Sequence, residues 1–468
     1  MKETSRRSFI RMSTMVSLGF MGLSKFACAP NETITKSQPF DGYGPLKPDP
    51  NKLLDLPRGF SYKVISRWGN PMSDGLLTPN MADGMAAFLG ANGKVVLVRN
   101  HEISTHDMQS SAFGEDLSLI KKLNPQQFYD YGKGRAPCLG GTTTLIYNEN
   151  TQQVESEFLS LAGTIRNCAG GKTPWNSWIT CEESTEKSGL TNEQDHGYNF
   201  EVPATSQIGL ADPVPLKEMG RFNHEAVCVD PRTSIVYQTE DQHDGLIYRY
   251  IPNIPHQLGK GGKLQAMALA EIPSADTRNW ENLTTPKISL NQQLKVRWID
   301  INNVESPDDD LRLSGFDKGA ARFARGEGMW FGDNEVYFAC TNGGHIKQGQ
   351  VWRYQPSRFE GTPEEKGAPG TLELFAEPND TDVCKSCDNL TVAPWGGLIL
   401  CEDHEAPYIV GLTPSGTFYK FGANVGHPDS EFAGATFSPS GNTLFVNIQV
   451  YGLTFAITGP WQKPGLVS

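Results

Sequence analysis

No segment of this chain reads as a long amphipathic helix, which leaves short strands joined by turns. No apolar run is long and unbroken enough to span a bilayer as a helix. Positive charge is in short supply: 41 Lys and Arg stand against 53 Asp and Glu, a formal net charge of −12. A nucleic-acid backbone is therefore excluded as a partner. The balance fits an acidic exported protein, or one that holds multivalent cations. Three common catalytic signatures are also missing. There is no GxSxG elbow, no HExxH zinc helix, and no glycine loop leading to a phosphate-binding lysine. "CLGGTTTL" (Cys138 to Leu145) is glycine-rich but runs into a strand, so it reads as a turn. What is plentiful is glycine, with 48 residues, and proline, with 31, in a chain of 468. That composition supplies many turns, and an all-β fold of this length can form a single domain.

The N-terminus reads as an address. "SRRSFIRM" (Ser5 to Met12) places paired arginines before Phe9 and Ile10, and a modest apolar run follows. This is the pattern of a twin-arginine export signal, which is recognised by the twin-arginine translocase. The expected organisation is a signal over 1–29, a linker over 30–60 and a propeller catalytic domain over 61–468. The mature protein is expected to be monomeric in the periplasm or outside the cell. Cys28, after Ala27, fits a lipid-anchor cysteine, although Lys25 is out of place in such a signal. Of the other cysteines, Cys181, Cys228, Cys340 and Cys401 lie in or beside apolar strand-like runs and read as small core residues. "CKSC" (Cys384, Cys387) has no partner CxxC and reads as a local disulfide or loop pair.

Self-comparison reveals a repeat. Units begin at Asp83, Glu225, Glu327, Asp388 and Gly434, each running strand, tight turn, apolar strand, polar loop and a third strand. "RNCAGGKTPWNSWITCEES" (Arg166 to Ser184) makes a sixth. Six such units predict a six-bladed β-propeller with loop excursions, in which each blade packs on its neighbours. A sandwich of similar hairpins is the competing arrangement. In a propeller the first strand of each blade lines the central channel. Asp83, Cys168, Glu225, Glu327 and Asp388 open their repeats, so they are expected to form one ring. A second polar set follows about 14 to 17 residues later: Asn100, Glu182, Glu240, Asn342 and Glu402.

Carboxylates gathered this way repel, and cannot all ionise unless cations sit among them. Calcium takes six to eight oxygen ligands. A thiolate among carboxylates, here Cys168, points to a transition metal. His101 and His224 flank the acids Glu102 and Glu225 and read as ligands, as general acids or bases, or as hydrogen-bond donors to those neighbours. A multi-cation cluster binds an anionic oxygen group and lowers the pKa of bound water, which suits phosphate esters. Arg325, two residues before Glu327, falls on the same side of an extended segment and can fork onto a phosphate. Arg166 stands in the same place before Cys168.

Taken in order, "RNHE", "GGTTT", "NCAGGKTPWNSWITCEE", "GRFNHEAVCVD" with "TED", "ARGEGMWF" and "CDNLTVAPWGGLILCED" resemble the PhoX-type bacterial alkaline phosphatases. The likeness runs from about residue 80 to 450. It implies an exported propeller that hydrolyses phosphate esters with two ferric ions and three calcium ions, for phosphate acquisition. It implies that Cys168 is an iron ligand and that Glu225 and Glu327 are iron or bridging carboxylates. Glu102, Glu182, Glu240, Asp388 and Glu402 become metal ligands, mostly for calcium, with Asp241 and Asp403 as neighbours. Arg325 becomes the phosphate-holding residue. The chain departs from the pattern in its short length, in glycine where proline is expected between Arg325 and Glu327, and in the two cysteines before Asp388. Two readings from other classes compete: a calcium-dependent propeller lactonase or esterase, and a non-catalytic propeller whose calcium is structural.

Overall fold

The computed structural model describes residues 42–462. The export signal, Cys28 and the first part of the expected linker lie outside the described residues. Nearly all regular structure is β, and the one α-helix among the described residues is Leu311–Asp317. No helix among them is long and apolar enough to cross a membrane.

The arrangement is propeller-like. Six strands occupy the inner position of successive antiparallel sheets: Ala82–Leu89, Asn167–Lys172, His224–Val229, Gly326–Phe331, Cys387–Val392 and Phe432–Phe437. Each packs against the next, and the last packs against the first, so they close a ring. Outward from each inner strand, the sheet continues through an antiparallel second and third strand. Asn92 and Gly93 both adopt positive φ, the combination a two-residue hairpin turn requires. The third and fourth sheets merge into one nine-stranded sheet, because Leu294–Asp300 pairs with the outer strands of both.

Ring closure uses the two ends of the fold. Ser61–Arg67 pairs antiparallel with Leu453–Thr458 and becomes the outermost strand of the last sheet. The described part of the expected linker does not act as one. Leu54–Pro57 extends the fifth sheet by pairing with Phe418–Asn424, and Leu46–Lys47 pairs in turn with Leu54–Pro57.

The core lies between the faces of neighbouring sheets. Phe338 stacks on Trp352, with Phe323 edge-on to both, all fully buried. Removing an aromatic side chain from such a site costs about 3–5 kcal/mol. Cys181, Cys228, Cys340 and Cys401 pack as small buried residues within these layers. All eight described cysteines are free thiols, so of the two readings of "CKSC" the loop pair, not the disulfide, is the one present.

Candidate metal centre

The inner strands share a local device that shapes the channel. In each of the first five, the register with the second strand shifts at the channel residue. The breaks fall between Ala82 and Met85, Asn167 and Gly170, His224 and Val227, Gly326 and Met329, and Cys387 and Leu390. Such a bulge re-aims a side chain. Here it turns Asp83, Cys168, Glu225, Glu327 and Asp388 towards the axis. In four of the five the next residue is small (Gly84, Ala169, Ala226 and Gly328), because the ring is tight there. A Cβ on Gly84 would sit 2.6 Å from the Ala169 backbone, and one on Gly328 would sit 2.6 Å from Leu390 N.

Two residues before the bulge, the backbone of Arg166 and of Arg325 has positive φ, 46° and 50°. That turn carries both guanidiniums to the mouth of the channel. There they join a cavity of about 120 Å³. The bulged residues Asp83, Cys168, Glu225, Glu327 and Asp388 line it. Glu102, Glu183, Asp241 and Asp403 enter from the ends of the second strands, and Glu431 enters just before the sixth inner strand.

This placement corrects the second ring of the sequence reading. Glu182, Glu240 and Glu402 do not line the cavity, and neither do Asn100 and Asn342. Each misplaced glutamate is the first of an adjacent acidic pair, in "CEE", "TED" and "CED". It pairs across to the inner strand and points into its own sheet. Glu182 accepts hydrogen bonds from the amides of Ile165, Gly197 and Tyr198. Glu240 accepts from the amide of Leu246 and the hydroxyl of Tyr248, and Glu402 from the amides of Lys385 and Tyr408. Their role is to tie the approach to one strand to the start of another. The second member of each pair faces the cavity, because successive side chains alternate. Glu402→Gln should therefore cost about 1–3 kcal/mol in urea unfolding with metal content unchanged. Asp403→Asn should lower metal content with little loss of stability. Elemental analysis and unfolding of both variants check the division of labour.

The histidines are also outside the cavity. His101 lies between the carbonyl of Asn80 (2.7 Å) and Thr143 Oγ1 (2.8 Å). His224 stacks on Phe222, with Nε2 3.0 Å from the carbonyl of Gly220. Burial holds both imidazoles well below their usual pKa, His224 at about 3. They are neutral supports of the strands that carry the acids.

Donor atoms in the cavity fall into overlapping triads, each within 4.8 Å: Cys168, Glu183 and Glu225; Glu225, Glu327 and Asp388; Asp388, Asp403 and Glu431; Asp83, Glu102 and Glu431. Glu225, Asp388 and Glu431 each belong to two triads. The chain of shared carboxylates is suited to a cluster of bridged cations. Glu183 and Glu431 are the site residues that the sequence reading did not identify. Glu183 was legible as the second acid of "CEE"; Glu431 precedes its strand and had no counterpart in the other repeats.

Electrostatics says the same. Burial and neighbouring acids push Asp83, Glu225, Glu327 and Glu431 well above the usual carboxylate range. The same causes bring Asp388 to about 7 and Glu183 to about 9. Burial and the nearby Glu225 push the Cys168 thiol up, and its Sγ lies 3.3 Å from the carbonyl of His224. Two arginines do not balance so many acids. Arg325 donates from Nε and Nη2 to the two oxygens of Asp241, at 2.8 and 2.7 Å, and Nη2 lies 2.9 Å from Glu327 Oε1. Arg166 bridges Glu102 and Glu183. Burial opposes the charge on each, but these carboxylates hold both guanidiniums above their usual pKa. The donor set, one thiol among many carboxylate oxygens, fits several multivalent cations.

Fold and site together define a propeller-like protein with an acidic, thiol-bearing cage at its axis. The sequence profile of the family described as alkaline phosphatase PhoX matches residues 41–156 and 141–452. The chain belongs to that family, and with it to the metal-dependent phosphatases. Among solved structures it is similar to Pseudomonas fluorescens PhoX in complex with vanadate, a transition state analogue. The identity is 16% and the TM-score 0.62, over 87% of this chain and 96% of the other. A gluconolactonase from Xanthomonas campestris aligns with 90% of this chain and 100% of its own, at 12% identity and a TM-score of 0.36. No curated protein matches the sequence.

Proposed function

We propose that this phosphatase is a six-bladed propeller that hydrolyses small phosphate esters at a cluster of two ferric and three calcium ions. The observation that carries the proposal is the run of shared carboxylates ending in Cys168. The triad of Cys168, Glu183 and Glu225 would hold iron, since sulfur suits a transition metal better than calcium. The all-oxygen triads around Asp83, Glu102, Asp388, Asp403 and Glu431 would hold calcium, and Glu225 and Glu327 would bridge. When bound, such cations supply Lewis acidity to a phosphoryl oxygen and to water.

The chain's own part is to hold and orient. The bulges fix the carboxylates around the cavity. Arg325 now forks onto Asp241 and lies against Glu327; were those carboxylates to ligate cations, its fork would be free to bind a phosphate. Arg325→Lys should raise KM for a chromogenic phosphomonoester about tenfold or more, because lysine cannot fork. An unchanged kcat/KM would remove Arg325 from phosphate binding. The wider reading is a monomer, exported through the twin-arginine translocase to the periplasm or beyond, that scavenges phosphate. Elemental analysis of the purified protein, with the phosphomonoester assay at alkaline pH, tests the centre. Iron and calcium together with turnover are expected. Calcium without iron, with turnover retained, would remove iron from the proposed cluster.

A further inference from the structure

A second cluster of metal-type donors lies outside the channel. Asp130, Cys138 and His196 come from two loops, and all three are fully buried. His196 Nε2 lies 3.3 Å from Asp130 Oδ2 and 3.7 Å from Cys138 Sγ. The first distance is long for a charged hydrogen bond, which favours about 2.7–2.9 Å. Both match the edges of a tetrahedron around zinc. Ligand bonds of about 2.0–2.1 Å to nitrogen and oxygen and about 2.3 Å to sulfur give edges of about 3.4 and 3.6 Å.

The surroundings are those of a ligating histidine. The other ring nitrogen, Nδ1, lies 2.7 Å from Glu182 Oε1. A carboxylate behind the imidazole fixes the ring, so that Nε2, once its proton is displaced, faces a cation held with Asp130 and Cys138. Asp130 is held in turn: Oδ1 accepts the Gly132 amide, and Oδ2 accepts those of Glu193 and Gln194. Tyr129 packs edge-on against the imidazole.

We infer that Asp130, Cys138 and His196 form a zinc-class metal site, separate from the channel cluster, with Glu182 as the carboxylate behind the histidine. One divalent cation would replace two protons, one from the thiol and one from Nε2, so the charge buried there does not change. The site pins both loops to the end of Ser177–Glu182, one residue from the channel residue Glu183. It is a structural brace for that wall. It also explains the separate use of the two acids in "CEE".

The test uses the full chain carrying Cys168→Ala, which removes the channel thiol, stripped of metal and titrated with Co²⁺ alone. The expected result is a thiolate-to-cobalt band in the near ultraviolet that saturates at one equivalent of Co²⁺, with the visible bands of a tetrahedral ion; Co²⁺ taken up by the all-oxygen triads gives no such band. Adding Cys138→Ala should abolish the near-ultraviolet band. Adding Asp130→Asn instead should weaken the Co²⁺ affinity read from that band about 10–100-fold while keeping a folded chain by circular dichroism. Absence of the band in Cys168→Ala overturns the inference. Its persistence after Cys138→Ala also does so, by assigning the band to other thiols such as Cys384 and Cys387. If the double alanine variant does not fold, unchanged affinity in the Asp130→Asn variant overturns it. Phosphatase turnover plays no part in this readout, so the channel assignment stands or falls separately.

Discussion

Cys168→Ala should abolish iron binding and lower phosphatase activity at least about a hundredfold. Loss of a supporting partner alone typically costs 10–100-fold in metal affinity or activity, and Cys168 is assigned as a direct ligand. The variant changes little else. Cys168 is 4% exposed, it sits beside backbone carbonyls, and alanine fills nearly the same space. The thiol donates to a carbonyl when protonated and offers a thiolate only when a cation is present. Folding and calcium binding at the all-oxygen triads should therefore survive. Elemental analysis and circular dichroism separate these outcomes. Iron content equal to that of the parent protein would remove Cys168 from the ligand set.

Chelation should convert the cage from a source of stability into a pH-dependent liability. Without cations, Asp388 titrates at about 7 and Glu183 at about 9 in the folded chain. In the unfolded chain both titrate near the ordinary carboxylate values of about 4. The folded state therefore binds more protons than the unfolded state between about pH 4 and pH 9. Stability falls as pH rises wherever the folded state holds more protons. The metal-free protein should lose stability steadily across that window, with a melting temperature lower by on the order of 5–10 °C at its alkaline end. Restoring the cations should remove the slope. A melting temperature in chelator that does not fall from pH 5 to pH 9 would show that the cage does not carry this charge.

The repeat was legible because each unit needs the same items in the same order: an inner strand, a turn with glycine or asparagine, and an apolar second strand. The first ring was legible for the same reason. Asp83, Cys168, Glu225, Glu327 and Asp388 each open an apolar run, and all five line the cavity. The second ring was read one residue out of register at Glu182, Glu240 and Glu402. In "CEE", "TED" and "CED" both acids are equally plausible by type, and only the strand's alternation and the hairpin amides decide between them. No local signal fixes that phase, because it depends on which face of the sheet meets the axis. Glu431 was hidden differently, since it reaches the cavity from outside its strand. The cluster of Asp130, Cys138 and His196 was not legible, because its members are brought together by loops.

The closing pair, Ser61–Arg67 with Leu453–Thr458, matches Ser61 to Thr458. Channel residues are distributed along the chain from Asp83 to Glu431, inside that clasp. No half of the chain holds a complete cage, and contacts so distant in sequence form late in folding. Cation capture should therefore be all-or-none in time as well as in space. The full set of triads is assembled only once synthesis has passed residue 458 and the clasp has zipped. Until then the growing chain offers isolated acids, each too weak a chelator to hold the ions.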